Sequence, residues 1–191
     1  MATVMGVMGA AIFANSRIDR EVFEEYQEHL RGRHTNAWAR TFKPFGEGQY
    51  IIPGYFGLYF LGMLGDHYLI PGADTVRDWS ERNLRSIAVG FPALIVLQLA
   101  TGGGRPGEHA AESRWIPFHD NNGVSGHAFI GAIPFLTAAQ FTDDPYCRLA
   151  LYAGSTLTGL SRFNDGGHFL SQVALGWMLA YIATEAVRNT E

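Results

Sequence analysis

The sequence predicts an all-α protein: a bundle of about five or six helices, embedded in a membrane, with its site-bearing loops at one end. Three observations predict it. Four stretches, Gly48 to Gly65, Ser86 to Gly104, Asn121 to Thr142 and Gly166 to Thr184, contain no Asp, Glu, Lys or Arg over the ~18 residues or more that a bilayer-spanning helix needs. Turn-forming clusters separate helical segments at Pro71-Gly72, Gly102 to Gly104, Asp143-Asp144-Pro145 and Asn164 to Gly167, where glycine, proline and aspartate favour chain reversal. Charged residues make up only 17% of the chain and apolar residues 47%, against about 25% charged in ordinary soluble domains.

The 191 residues read as a single domain, an N-terminal amphipathic arm over 1–47 and a helical core over 48–191. Met1 to Ala14 is apolar but lacks the basic start of a secretory signal, which predicts a retained anchor or arm. Asn15 to Glu47 is charged and polar, and Val22, Phe23, Tyr26 and Leu30 are spaced along one face of an amphipathic helix. Ser16 or Asp19 is its expected cap and Gly32 its stop, while Lys43 to Gly48 reads as a loop. Five helices follow: Tyr50 to Ile70, Asn83 to Ala100, Gly126 to Phe141, Tyr146 to Leu160 and His168 to Arg188.

The composition excludes several classes. The net charge is −4, Lys43 is the only lysine and no basic block occurs, so no nucleic-acid partner is expected. Cys147 stands alone, which rules out a disulfide framework or a cysteine zinc site within one chain. His109 and His119 are too irregularly spaced to nominate a metal site. No cofactor is expected.

If the five helices run antiparallel to their neighbours, the loops Thr101 to Gly123 and Ser161 to Gly167 open at the same end. Three groups then converge: Arg105-Pro106, Ser125-Gly126-His127, and Ser161-Arg162 followed by His168. Two arginine forks suit a tetrahedral oxyanion. Ser125 and the amides of Gly126 and His127 begin a helix, where free N–H groups and the positive dipole end favour an anion. His127 and His168 would flank that anion, as in-line attack by one and protonation of the leaving group by the other require. Taken singly, each group is an ordinary solvated arginine, helix cap or satisfied histidine. Their joint spacing at one end is what points to a site.

These motifs, Arg105-Pro106, Val124-Ser125-Gly126-His127, and Ser161-Arg162 separated by five residues from His168, resemble the three signatures of the type 2 phosphatidic acid phosphatase superfamily, which includes the vanadium-dependent haloperoxidases. The resemblance spans roughly Gln98 to Gln172. It implies that His168 is the nucleophile that forms a phosphohistidine and His127 the general acid for the leaving group. It also implies that Arg105, Arg162, Ser125 and the Gly126 amide hold the phosphoryl oxygens. Gln98 occupies the family's lysine position, Gln172 its aspartate position and Val124 the proline before Ser-Gly-His. Lys43, in the loop before the first long helix, is the candidate replacement for the missing cation. Gln172→Asp is expected to raise turnover, and Gln98→Lys to rescue a loss of Lys43.

The function expected is a phosphohydrolase acting on a lipid phosphate or isoprenyl diphosphate, with membrane lipids around it. The alternatives are a non-catalytic phosphate-headgroup-binding or structural membrane subunit and, ranked lower because vanadate is held by charge, a vanadate-loaded haloperoxidase. Weaker features include Asp66-His67 near a helix end, Trp115 to Phe118 as an aromatic entrance or packing segment, and small residues around Gly154 and Gly159 suited to close helix contact.

Overall fold

Chain punctuation decides where the helices begin and end. The computed structural model describes residues 2–108 and 113–190. Among these, eight α-helices occur: α1 (Ala2–Asn15), α2 (Ile18–Glu25), α3 (Arg33–Phe42), α4 (Gly48–His67), α5 (Ala73–Thr101), α6 (Gly126–Ala138), α7 (Pro145–Asn164) and α8 (Leu170–Arg188). A π turn, Tyr26–Leu30, extends α2 as far as Arg31-Gly32, and a 3-10 turn, Lys43–Gly46, precedes α4. The five long segments expected after residue 48 are all present as helices.

Local chemistry explains their ends. Asp144 accepts the Cys147 N–H at 2.7 Å and Pro145 occupies the first turn of α7, where its fixed φ and missing N–H cost nothing. Gly102 closes α5 in the left-handed conformation, φ 59°, which only glycine adopts without strain. Helix α5 begins at Ala73 rather than at the expected Asn83. Its first turns are amphipathic, with Trp79, Ser80 and Asn83 turned inward and Arg77 paired outward with Asp66 and Asp78. Charge there marked solvent exposure, not the absence of a helix. Asp66 thus engages Arg77 across the α4–α5 hairpin.

Helix α6 is the axis of the bundle. Residues Ala128 to Pro134, Leu136 and Thr137 are all buried, enclosed by α5, α7 and α8. Its neighbours approach on small residues: a Cβ on Gly159 would lie 2.6 Å from Val173 Cγ1 and 3.1 Å from Ala128 Cβ, so any side chain there would part three helices. This bears out the close-contact role expected around Gly159.

Residues 2–47 lie along this core. Helix α1 packs on α8, and α3 on α7. Asp19 does not cap its own helix. It is fully buried, and its carboxylate accepts the backbone N–H and the hydroxyl of Ser171 at the start of α8, where a negative charge also meets the positive end of that helix dipole.

The apolar stretches separate into two kinds. Helices α5 and α8 are long and apolar enough to cross a membrane, with over half of the α8 window buried against the protein. The stretch Asn121 to Thr142 yields only the 13-residue α6, too short to span and apolar because it is the core. Helix α4 has spanning length, 20 residues, but its apolar character is diluted by glycine and tyrosine. Its flank nonetheless exposes Phe56, Phe60, Leu61 and Leu64, and α5 beside it exposes Val89, Ile95 and Val96.

Candidate functional site

The end of α5 launches the first part of the site. Gly102, Gly103 and Gly104 are buried beneath the following loop, and a Cβ on Gly102 would lie 1.8 Å from the Ile116 carbonyl oxygen. Glycine at 102 is therefore a requirement of close backbone approach. Beyond it Arg105 donates through Nε to Asn122 Oδ1 at 3.0 Å, and one of its terminal nitrogens lies 3.7 Å from Glu108. Asn122 is itself held, its amide donating to Asp120 at 2.7 Å and its backbone N–H to the Gly103 carbonyl at 3.0 Å.

The second part is the start of α6. Ser125 is fully buried and accepts the Ala128 N–H at 3.2 Å, capping the helix and leaving its own O–H to donate. The first-turn amides of Gly126 and His127 have no carbonyl within the helix to bond. Gln98 does not enter the cradle. Its amide donates to the Val124 carbonyl at 2.9 Å and so fixes the strand of backbone that carries Ser125.

The third part spans the α7–α8 turn. The N–H of Gly167 donates to the Arg162 carbonyl at 2.8 Å, folding the chain back on itself, and the Arg162 guanidinium packs on Gly167, where a Cβ would stand 2.5 Å from it. Arg162 Nε is buried without a hydrogen-bond partner, an N–H that an anionic oxygen would satisfy.

His168 is 4% exposed. Its Nδ1 lies 2.9 Å from Gln172 Oε1, which also accepts the Phe169 N–H at 3.1 Å, while Gln172 Nε2 donates to the Gly104 carbonyl at 2.8 Å. These contacts fix the amide orientation, since a backbone N–H needs an oxygen and a carbonyl needs an N–H. With oxygen facing it, Nδ1 carries the proton, and Nε2 keeps its lone pair.

Electrostatics tie the parts together. Burial lowers the His168 pKa to about 4, opposed by the Gln172 hydrogen bond and reinforced by Arg162, Arg105 and His127. His127 is also lowered, by burial first and by Arg162, with Glu47 opposing and Lys43 adding to the fall. Arg162 is lowered by burial, and Arg105 adds to this against Asp165. Each group thus feels the others across one space. Two cations and two imidazoles coupled in this way form a site suited to an anion, with Glu47 acting on His127 and Arg162 from its edge.

Arg105, Ser125, Gly126, His127, Arg162, His168 and Gln172 therefore meet at one end of the bundle, and Gln98 braces it from below. The sequence reading missed Asn122, Gly167 and Glu47; the last places Oε1 3.6 Å from His127 Nε2. Asn122 and Glu47 stand in loops without periodic signal, and only three-dimensional closure brings them in. His109 lies outside the described residues. No group of His, Cys, Asp and Glu side chains suited to a metal ion occurs among the described residues. No family model, curated protein or solved structure matches the chain.

Proposed function

We propose that the chain is a phosphohydrolase that removes phosphate from a lipid phosphate or isoprenyl diphosphate through a phosphohistidine. The observation that carries this reading is the fixed amide of Gln172. It leaves His168, which burial keeps neutral, protonated on Nδ1 and open at Nε2, which is the form that attacks phosphorus. Nε2 forms the bond to phosphorus as the ester oxygen leaves with its electron pair, and protonated His127 supplies that oxygen with a proton. Neutral His127 then takes a proton from water, whose oxygen attacks the phosphohistidine and frees inorganic phosphate and His168. Arg105, Arg162 and the first amides of α6 stabilise the charge on the three equatorial oxygens throughout. The motif resemblance to the type 2 phosphatidic acid phosphatases supports the same assignment.

A lipid substrate is favoured by the exposed apolar flank of α4 and α5, which would lie in the bilayer and hold the site end near its surface. An alkaline carbonate wash tests this: the protein stays with the membrane, whereas a monodisperse protein in detergent-free buffer removes the lipid assignment. The chemistry is tested by single-turnover labelling with a phosphate-labelled substrate. Wild type forms an acid-labile, base-stable phosphoprotein and His168→Ala does not.

The neutrality of Gln172 favours a second reading, a headgroup-binding protein without turnover, because an amide stabilises an imidazolium-like charge less than a carboxylate does. Phosphate binding with no phosphoprotein on any substrate would select it.

A further inference from the structure

We propose that Glu47 is the positioning residue of His127, stabilising from one ring nitrogen the protonated form that gives the leaving group its proton from the other. The proposal rests on the phosphohydrolase reading and adds a fourth segment, residues 43–47, to a site otherwise built from the three motif regions.

Geometry carries it. Gly46 is buried, and a Cβ there would stand 2.8 Å from both Cβ and the carbonyl oxygen of His127, so the turn rests directly on the backbone of His127. The turn is fastened on both sides of that contact. The Glu47 N–H donates to the Pro44 carbonyl at 3.1 Å, and the Glu47 carbonyl accepts from Tyr50 and Ile51 at the start of α4. Upstream, the Thr158 hydroxyl donates to the Phe42 carbonyl at 3.2 Å, tying the segment to α7. Glu47 is thus launched from a fixed backbone, and its Oε1 reaches within 3.6 Å of His127 Nε2.

The charges around His127 explain the need for it. The groups facing it are Arg162 from α7, Lys43 from the turn and Glu47, with His168 across the site. Burial, Arg162 and Lys43 all oppose a proton on His127, and Glu47 is the one carboxylate that favours it. The arginines that bind phosphate would otherwise strip the acid of its proton. Glu47 counters them from the 43–47 turn, and its charge also favours the charged form of Arg162.

The test is a pH titration of His127 by NMR on ¹³C-histidine-labelled full-length protein, wild type and Glu47→Gln, with His127 assigned from His127→Asn. In the variant the midpoint falls by about 1 pH unit, as expected for loss of an opposite charge at this range, and Glu47→Asp recovers part of the fall. Hydrolysis by Glu47→Gln drops more for alkyl phosphates than for p-nitrophenyl phosphate, because only a poor leaving group needs the proton. Coincident titrations of wild type and Glu47→Gln overturn the assignment, as does an equal loss on both substrates. If wild type hydrolyses neither ester, the phosphohydrolase reading falls by itself, and the titration still decides whether Glu47 stabilises protonated His127.

Discussion

Gln172 Oε1 accepts from His168 Nδ1 at 2.9 Å while Gln172 Nε2 donates to the Gly104 carbonyl at 2.8 Å. One buried carboxamide therefore orients the histidine and ties α8 to the loop that carries Arg105. An aspartate supplies only the first of these bonds. The sequence pattern treats position 172 as a weakened aspartate, yet the amide N–H has a partner of its own.

Gln172→Asp consequently destabilises the protein instead of simply raising turnover. The Gly104 carbonyl loses its donor, and a buried carboxylate faces that carbonyl from a shorter side chain. Leaving a buried polar group unsatisfied costs about 1–3 kcal/mol, which corresponds to a fall in Tm of roughly 2–12 °C for a chain of this size. Thermal unfolding followed by circular dichroism measures it. An unchanged Tm would mean that the Gly104 contact contributes nothing.

The pH dependence of stability has a defined sign. The His168 pKa is lowered from 6.5 to about 4, so the unfolded chain binds more protons between those values. Its contribution is fully present above pH 6.5 and is lost as pH falls toward 4. Asp19 acts in the opposite direction, because burial raises its carboxyl above 3.8 and its contribution is lost as pH rises through that higher value. The difference between wild type and His168→Asn isolates the histidine. Wild-type Tm falls more steeply between pH 6.5 and about 4, and parallel curves would show His168 to be solvated.

The two arginines differ in what their removal does. Arg162 is partly buried and its Nε has no protein partner, whereas Arg105 is more exposed and already bonded to Asn122. Vanadate, as a phosphate mimic, binds more weakly in both alanine variants. For Arg162→Ala the loss approaches the ~1.5–3 kcal/mol of a charge-assisted hydrogen bond, roughly 10–150-fold in Kd. The loss for Arg105→Ala is smaller and shrinks further with added salt. Equal, salt-independent losses would contradict this division.

Much of the bundle was legible because glycine, proline and aspartate mark helix ends by mechanisms that act locally, as at Asp144-Pro145 and Gly102. The meeting of Arg105, Ser125, Arg162 and His168 was legible through helix alternation. Asp19 was not, because a residue with the composition of a local cap was used to cap α8, distant in sequence. Stretch Asn121 to Thr142 misled for a related reason: a helix enclosed on all sides by protein and one enclosed by lipid are equally apolar, and only the length of α6 and its burial tell them apart. Lys43 to Gly48 reads as a loop with Lys43 as its one candidate, because the role of Gly46 lies in lacking a side chain against His127, a contact with no trace in periodicity.

Lys43 and Gln98 provide the remaining prediction. Lys43 stands close enough to His127 to oppose its protonation, while Gln98 lies beneath the start of α6, its Nε2 4.0 Å from where a Cβ on Gly126 would be. A cation at either position adds to the field at the anion. Because Lys43 is partly exposed, Lys43→Ala weakens vanadate binding by only the ~0.2–1 kcal/mol typical of a screened pair, about 1.5- to 5-fold. It also raises the His127 midpoint, since the charge that opposed the proton is gone. Gln98→Lys restores the affinity, because an ammonium can keep the donor contact to the Val124 carbonyl and bring a charge beside the Ser125 to His127 amides. It leaves the His127 midpoint at least partly raised, since its charge acts from below the helix rather than from the turn. Measuring both quantities on the single and double variants separates the two effects. Unchanged affinity and midpoint in Lys43→Ala would show that the site works without this lysine and that the cradle consists of Arg105, Arg162 and the helix amides alone.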